Sequence, residues 1–473
     1  MTTHGWRSAR GRASGWSPAT VVAPAGAVPA GAAEAGVASQ RRWVPVSSGP
    51  TLDENRWGNP WTGVPWTLTM VAFMAYTAVI VTYAFKIGTE SMVVALLTLP
   101  LLKVKFRFPL WLAFLALWVA WCFLGYPTTQ NPDIVWARCL DLGKLVLIAL
   151  VAVNVLTGLR ELRWYTFFYL GCFALYPLRG ELFNYFLYHA STFGRASWNY
   201  IYANSNDQAA FTLLPLALTL GLLLREQDRK WRLANKIGVV LLPLAILMTQ
   251  SRSGILALVV FLGIALGRKF KSIRSIASVV GVAMLVLLIA PSGVLDRMEG
   301  LKNVTNTADL GSVDAEGSAK QRYEIWKVAA FITANHPVTG VGAGTYKINH
   351  EFFASLPIFD RIARGPRDTH STFLNVAAET GLVGLVLWLL MIFVALLEAE
   401  RVRRRCRLVV PKAAEQLMYI QAALIAYLVT CIWGSYAHIP FTVLHLAFMS
   451  AYAFAVQQEY EQALKLGVQP ARS

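Results

Sequence analysis

The chain has 473 residues, of which 56% are hydrophobic and only 15% charged, against roughly 25% charged in an ordinary soluble domain. That balance excludes water as the main solvent and points to an all-α polytopic membrane protein. The formal charge of +17, from 43 basic and 26 acidic residues, does not indicate nucleic acid, because the basic residues sit in short clusters between apolar runs.

Residues 1–62 are rich in Ala, Gly, Pro and Ser and carry Arg7, Arg10, Arg12, Arg41 and Arg42. They read as a disordered cytoplasmic leader rather than a cleavable signal peptide, since the first apolar run starts only near Pro65. Residues 63–291 then form the first part of a transmembrane bundle. Its apolar runs predict spans at 66–86, 88–102, 108–125, 137–157, 164–180, 206–224, 237–250, 253–267 and 275–291.

Residues 292–370 are too long for a passive connector. A polar opening with Asp296, Glu299, Asp309, Asp314 and Glu316 precedes an amphipathic stretch from Tyr323 to Phe331. The last three spans fall at 371–397, 413–431 and 441–458, within 371–460, and 461–473 are a cytoplasmic tail. About twelve helices result.

Every second connection is basic: Lys103/Lys105/Arg107, Arg160/Arg163, Arg225/Arg229/Lys230/Arg232/Lys236, Arg268/Lys269/Lys271/Arg274, and Arg401 through Lys412. The positive-inside rule places these in the cytoplasm together with both termini. Segments 126–136, 181–205, the turn Gln250 to Ser253, 292–370 and 432–440 then face outward. Segment 181–205 gathers Phe183, Tyr185, Phe186, Tyr188, Phe193, Trp198, Tyr200 and Tyr202 around Arg195, which suits anchoring at the headgroup level. The five cysteines are far apart and form no zinc spacing, so neither a disulfide framework nor a metal site is indicated.

Three outward constellations carry candidate chemistry. In Thr249-Gln250-Ser251-Arg252-Ser253-Gly254, an arginine stands between two apolar runs. Two readings fit it: a serine cap with Arg252 snorkelling to headgroups, or a guanidinium beside a helix N-terminus binding phosphate oxygens. The second runs from Gln321-Arg322 through Trp326 to His336-Pro337-Val338-Thr339-Gly340-Val341-Gly342-Ala343-Gly344. Its alternate glycines fit a turn as well as a close approach by a ligand, and the Lys-Ser/Thr ending of a nucleotide P-loop is missing. The third is Asp368-Thr369-His370-Ser371, just before an apolar helix bearing Glu379, Gly381 and Gly384. A lone histidine there also serves as a cap, with His336, His350, His438 and His445 as competitors.

Together these constellations resemble the superfamily of O-antigen ligases and polymerases. Arg252 to Leu256 is similar to its R-x-x-x-L motif, and Arg322 with Trp326 to the arginine at the start of its large loop. His336 to Gly344 resembles its HP-x-x-GxGxG stretch. His370-Ser371, nine residues, Gly381, two residues and Gly384 resemble the ligase pattern H-[NSQ]-x9-G-x-x-[GTY]. The resemblance is clear from about Arg195 to Gly384.

It implies a GT-C-like glycosyltransferase with one large periplasmic loop, in the bacterial inner membrane, with its active site facing the periplasm. It implies transfer of a preformed glycan from undecaprenyl diphosphate to an acceptor hydroxyl, such as a lipid A core sugar, with inversion and without a metal or cofactor. Arg252 and Arg322 would bind the diphosphate and His370 would take the acceptor proton or orient the acceptor. Arg195, His336, Gly342 and Gly344 would contact diphosphate or acceptor. Partners are then the lipid-linked donor, the acceptor and membrane lipids, with no nucleic acid.

A polymerase joining repeat units and a ligase acting on a protein hydroxyl share this architecture. From other classes come a secondary transporter or flippase, for which Asp141 and Lys144 are the main intramembrane candidates, and a scaffold in which Arg252 and His370 are dispensable.

Overall fold

A computed structural model describes residues 66–190, 194–267 and 318–467. The expected leader, Phe193, the span at 275–291, the basic cluster at 268–274 and the first part of the long outer segment lie outside the described residues. The described fold is all-helical, with no strand.

The first helices are α1 (Leu68–Thr82), α2 (Gly88–Thr98), α3 (Leu110–Leu124), α4 (Pro132–Val155) and α5 (Leu159–Phe173). Thr67 caps α1 by accepting from the Met70 amide, and Pro132 suits the first turn of α4, where no intrahelical donor is needed. Pro177 lacks an N–H, so α5 widens into a π turn at Ala174–Leu178 before continuing as α6 (Arg179–Phe186). The predicted boundary at 180 therefore falls inside a helical run.

Next come α7 (Ser205–Arg225), α8 (Arg229–Met248) and α9 (Arg252–Leu266), whose N-caps Asn204, Asp228 and Ser251 each accept a backbone amide. Helices α10 (Ser318–Asn335) and α11 (Tyr346–Ala354) belong to segment 292–370. The chain closes with α12 (Thr372–Cys406), α13 (Pro411–Thr430) and α14 (Pro440–Lys465).

Among the described residues six helices are long and apolar enough to cross a membrane: α3 with its short extension to Thr128, α7, α8, α12, α13 and α14. Helices α1, α2 and α9 are apolar but shorter. The predicted spans on α4 and α5 are not in this set, for α4 carries Asp133, Arg138, Asp141 and Lys144, and α5 is only 15 residues long before the π turn and opens with Arg160, Glu161 and Arg163. The chain is a multi-pass membrane protein whose apolar windows on α7, α13 and α14 are 78% buried, so these three form its centre. The windows on α3, α8 and α12 are 33–39% buried and present most of their surface outward.

Two expectations change. Arg163 and Arg225, counted among the orientation charges, are buried against Glu226 at 2.6 Å and Glu459 at 2.8 Å. They are internal ion pairs, while Arg229, Lys230, Arg232 and Lys236 are exposed. In the aromatic segment, Phe183, Phe186, Tyr188 and Tyr200 are exposed as an anchoring role requires. Tyr202, however, is fully buried with its hydroxyl donating to the Val81 carbonyl, and Trp198 lies where a side chain on Gly180 would stand. Tyr202 is core and Trp198, half-buried, packs against it because the segment folds back onto α1 and α6. The transporter candidates Lys144 and Asp141 pair with each other at 2.9 Å, half-exposed.

Candidate functional site

The turn before α9 is built around Asn206, the second residue of α7. Its Oδ1 accepts from Arg195 Nη2 at 2.9 Å and from Ser251 Oγ at 2.8 Å. Ser251 Oγ also accepts from the Gly254 amide, and so caps α9 while tying it to α7. A Cβ on Gly254 would stand 2.5 Å from Ala209 Cβ, so glycine sets how closely the two helices approach. Arg195 Nε donates to the Thr249 carbonyl, and Gln250, held at φ 49°, donates from Nε2 to the Gly194 carbonyl. Arg195 thereby braces the turn that presents Arg252, which is half-buried as the first residue of α9.

Arg322 and His370 come from segment 292–370. Arg322 lies one helical turn before Trp326, on the same face of α10, and Trp326 Nε1 donates to the Thr369 carbonyl at 3.0 Å. His370 follows with φ 48°, a left-handed conformation uncommon for a residue with a Cβ. The geometry is imposed from α13 and the loop after it. The Thr372 amide donates to the Cys431 carbonyl, Thr372 Oγ1 donates to the Gly434 carbonyl, and the Tyr436 amide donates back to Thr372 Oγ1. Ser435 Oγ donates to Asp368 Oδ1 at 2.9 Å.

Burial and the nearby guanidinium of Arg322 lower the pKa of His370, against a smaller opposing effect from Asp368. Half-buried, its imidazole is therefore neutral near pH 7. Asp207, next to Asn206, accepts from Tyr436 Oη at 3.0 Å and lies within electrostatic reach of Arg195, Arg322 and Asp368. The structure so gathers Arg195, Arg322 and His370 at the N-terminal end of α7, to which Ser251 also ties the turn carrying Arg252. Chemically, cations and neutral imidazole at one helix end are suited to hold a phosphate group and to meet a hydroxyl.

The glycine stretch packs against α12. The Val341 and Gly342 amides donate to the carbonyls of Ala378 and Glu379, and the Gly344 and Tyr346 amides donate to the two carboxyl oxygens of Glu379. Gly381 interrupts α12 at φ 70°, and a Cβ there would lie 2.0 Å from the Val338 carbonyl oxygen. The spacing between His370 and Gly381 thus has a physical basis: the His336-Pro337 segment runs over the helix at the one residue that leaves room. Buried Gly342 and half-buried Gly344 have their amides on Glu379, whereas His336 is exposed at the end of α10. His438 Nε2 stands 3.2 Å from Glu379 Oε2, and burial with Arg138 nearby lowers its pKa to about 3.

Sequence reasoning did not single out Asp207, Ser435 or Tyr436. The Asn204-Ser205-Asn206-Asp207 run at a helix start offered a local cue for Asp207. Ser435 and Tyr436 had none, since their role comes from a contact made across the fold. Among the described residues no group of His, Cys, Asp and Glu could hold a metal.

Residues 237–389 match the family described as O-antigen ligase. That range holds Arg252, Arg322, His370, the glycine stretch and Gly381, while Arg195, Asp207, Ser435, Tyr436 and His438 lie outside it. No curated protein matches the chain.

Proposed function

From its place in the O-antigen ligase and polymerase superfamily we propose that this chain is a glycosyltransferase. It moves a preformed glycan from undecaprenyl diphosphate to an acceptor hydroxyl on the periplasmic face of the inner membrane. The observation that carries the reading is the convergence of Arg322, His370 and the Arg195-braced turn of Arg252 at one end of α7.

Arg252 and Arg322 hold the diphosphate and stabilise the charge that grows on it as the bond between sugar and phosphate breaks, a contribution that preorganised cations make large. Arg195 positions Arg252, and the glycine stretch fixes α10 and α12 relative to each other. His370 meets the acceptor hydroxyl, orienting it or taking its proton. Direct attack on the anomeric carbon inverts it, and the favoured acceptor is a lipid A core sugar. The His370-Ser371 pattern with Gly381 and Gly384, which resembles the ligase motif, favours ligation over polymerisation.

The test is transfer from a purified undecaprenyl diphosphate-linked glycan to lipid A core, protein and donor acceptors. Transfer of a preformed chain to lipid A core supports the ligase. Elongation of the donor alone means a polymerase, glycan on protein means a protein ligase, and no transfer to any acceptor contradicts the reading.

A further inference from the structure

Asp207 is a carboxylate placed among arginines. Its Oδ1 is fixed by the Tyr436 hydroxyl at 3.0 Å, while its Oδ2 accepts no hydrogen bond from any described residue. The side chain is half-buried at the start of α7, next to the Asn206 that ties Arg195 to the Arg252 turn. Arg195, Arg322 and Asp368 all act on it electrostatically. A purely structural partner for those arginines would be closed off on both oxygens, as Glu379 is by two amides.

We propose that Asp207 is the group that takes the acceptor hydroxyl's proton, with His370 orienting that hydroxyl. The inference rests on the glycosyl-transfer reading above. In the step, the acceptor oxygen bonds to the anomeric carbon as the bond from that carbon to the diphosphate oxygen breaks. The bonding pair leaves with the diphosphate, and the acceptor proton passes to Asp207 Oδ2, then to the departing diphosphate or to water.

Two physical arguments favour Asp207 over His370 as the proton's destination. A proton on His370 creates another cation beside Arg322 and Arg367, both of which already disfavour its charged form. A proton on Asp207 instead removes a negative charge that would repel the diphosphate. As the bond breaks, the leaving group gains negative charge, and a nearby carboxylate then binds a proton more tightly. Base strength at Asp207 therefore rises in step with the chemistry that needs it.

The matched family region does not contain this residue. Its clamp is assembled by Ser435 and Tyr436, neighbours on one loop, which donate to Asp368 and Asp207 respectively. One short segment so sets the position of both carboxylates around the arginine cluster.

The experiment is the pH dependence of undecaprenyl diphosphate release from the lipid-linked glycan, with lipid A core as acceptor, using the full-length chain in lipid vesicles. Wild type, Asp207→Asn, Tyr436→Phe and His370→Gln are compared at equal amounts of folded protein. In Asp207→Asn, kcat is expected to fall on the order of 10²- to 10⁴-fold, with the acidic limb of the profile abolished and the donor KM unchanged or lower. Tyr436→Phe removes a hydrogen bond to the carboxylate, so its acidic limb moves to higher pH with a smaller loss of rate. His370→Gln slows the reaction but keeps the acidic limb.

An Asp207→Asn enzyme that retains the acidic limb, or one that loses only donor affinity, overturns the assignment. So does loss of that limb in His370→Gln alone. Absence of release by the wild type with every acceptor refutes the glycosyl-transfer reading itself, and this inference falls with it.

Discussion

The two ends of the helix bundle treat arginine in opposite ways. At the end marked by the C-terminus of α7, Arg163 meets Glu226 and Arg225 meets Glu459, and all four side chains are 2–3% exposed. At the other end of α7, about 30 Å away by helix rise, Arg195, Arg252 and Arg322 are half-exposed, and Arg195 and Arg322 lie within electrostatic reach of Asp207. Burial with a dedicated carboxylate makes the first set a means of joining helices. Partial exposure is what the proposed role of the second set requires, with Arg252 and Arg322 meeting a diphosphate while Arg195 braces the turn of Arg252. The lesson is that arginine count says little until its burial and partner are known.

The largest effect sharpens the structural side of the contrast. Arg225→Ala leaves Glu459 buried without its cation and is expected to destabilise the protein by about 3–5 kcal/mol, whereas replacing a whole buried pair with apolar residues costs far less. Denaturation in mild detergent, read by intrinsic fluorescence, checks this. Equal stability of Arg225→Ala and wild type would remove the distinction.

Next in size is Arg252→Lys. Lysine keeps the charge but loses the planar fork that matches phosphate oxygens, so transfer should fall nearly as far as in Arg252→Ala, on the order of 10²- to 10³-fold. The protein should stay folded. A lysine variant with wild-type rates would show that the half-exposed arginine does not recognise phosphate in a bidentate way.

Gly381→Ala comes third. Its φ of 70° and the 2.0 Å approach of the Val338 oxygen predict a loss of at least about 1–3 kcal/mol from backbone strain, and looser docking of the glycine stretch on α12. Increased proteolysis between α10 and α12 is the readout, and unchanged cleavage would contradict the packing role.

The smallest effect is on pH dependence. Unfolded His438 takes a proton near pH 6.5, while the folded side chain resists until about pH 3. The unfolded state therefore binds more protons between those values, and stability falls as pH drops from about 6.5 toward 3. His438→Gln should flatten that part of the profile; a profile identical to wild type would show that His438 is not its source.

Most helices were legible in the sequence because long apolar runs leave few choices for a backbone whose amides need partners in lipid. The predicted span at 206–224 and the observed Ser205–Arg225 differ by one residue at each end. Less legible was anything decided by a partner far along the chain. Arg163 and Arg225 looked like ordinary interfacial charges because Glu226 and Glu459 gain their meaning only when α5, α7 and α14 pack together. The Pro177 break was visible as a proline, but not as a π turn that carries the helix onward.

The candidate site divides the same way. Arg252, Arg322 and His370 could be named because each sits in a local motif. Asp207 was passed over, since a single acidic residue at a helix start reads as a favourable dipole contact. Its surroundings come from segments before, within and after the motif region. The glycines at 340–344 were visible as a pattern. Their common partner, Glu379, is clear only once the loop is folded onto α12.

The most direct test compares glycan transfer by two variants at matched amounts of folded protein. Arg252→Lys changes one half-exposed arginine conservatively, and the double variant Arg163→Leu with Glu226→Leu removes a whole buried pair. Near-complete loss of transfer is expected in the first and rates close to wild type in the second. Active Arg252→Lys beside a folded but inactive double variant would contradict the assignment of the catalytic end.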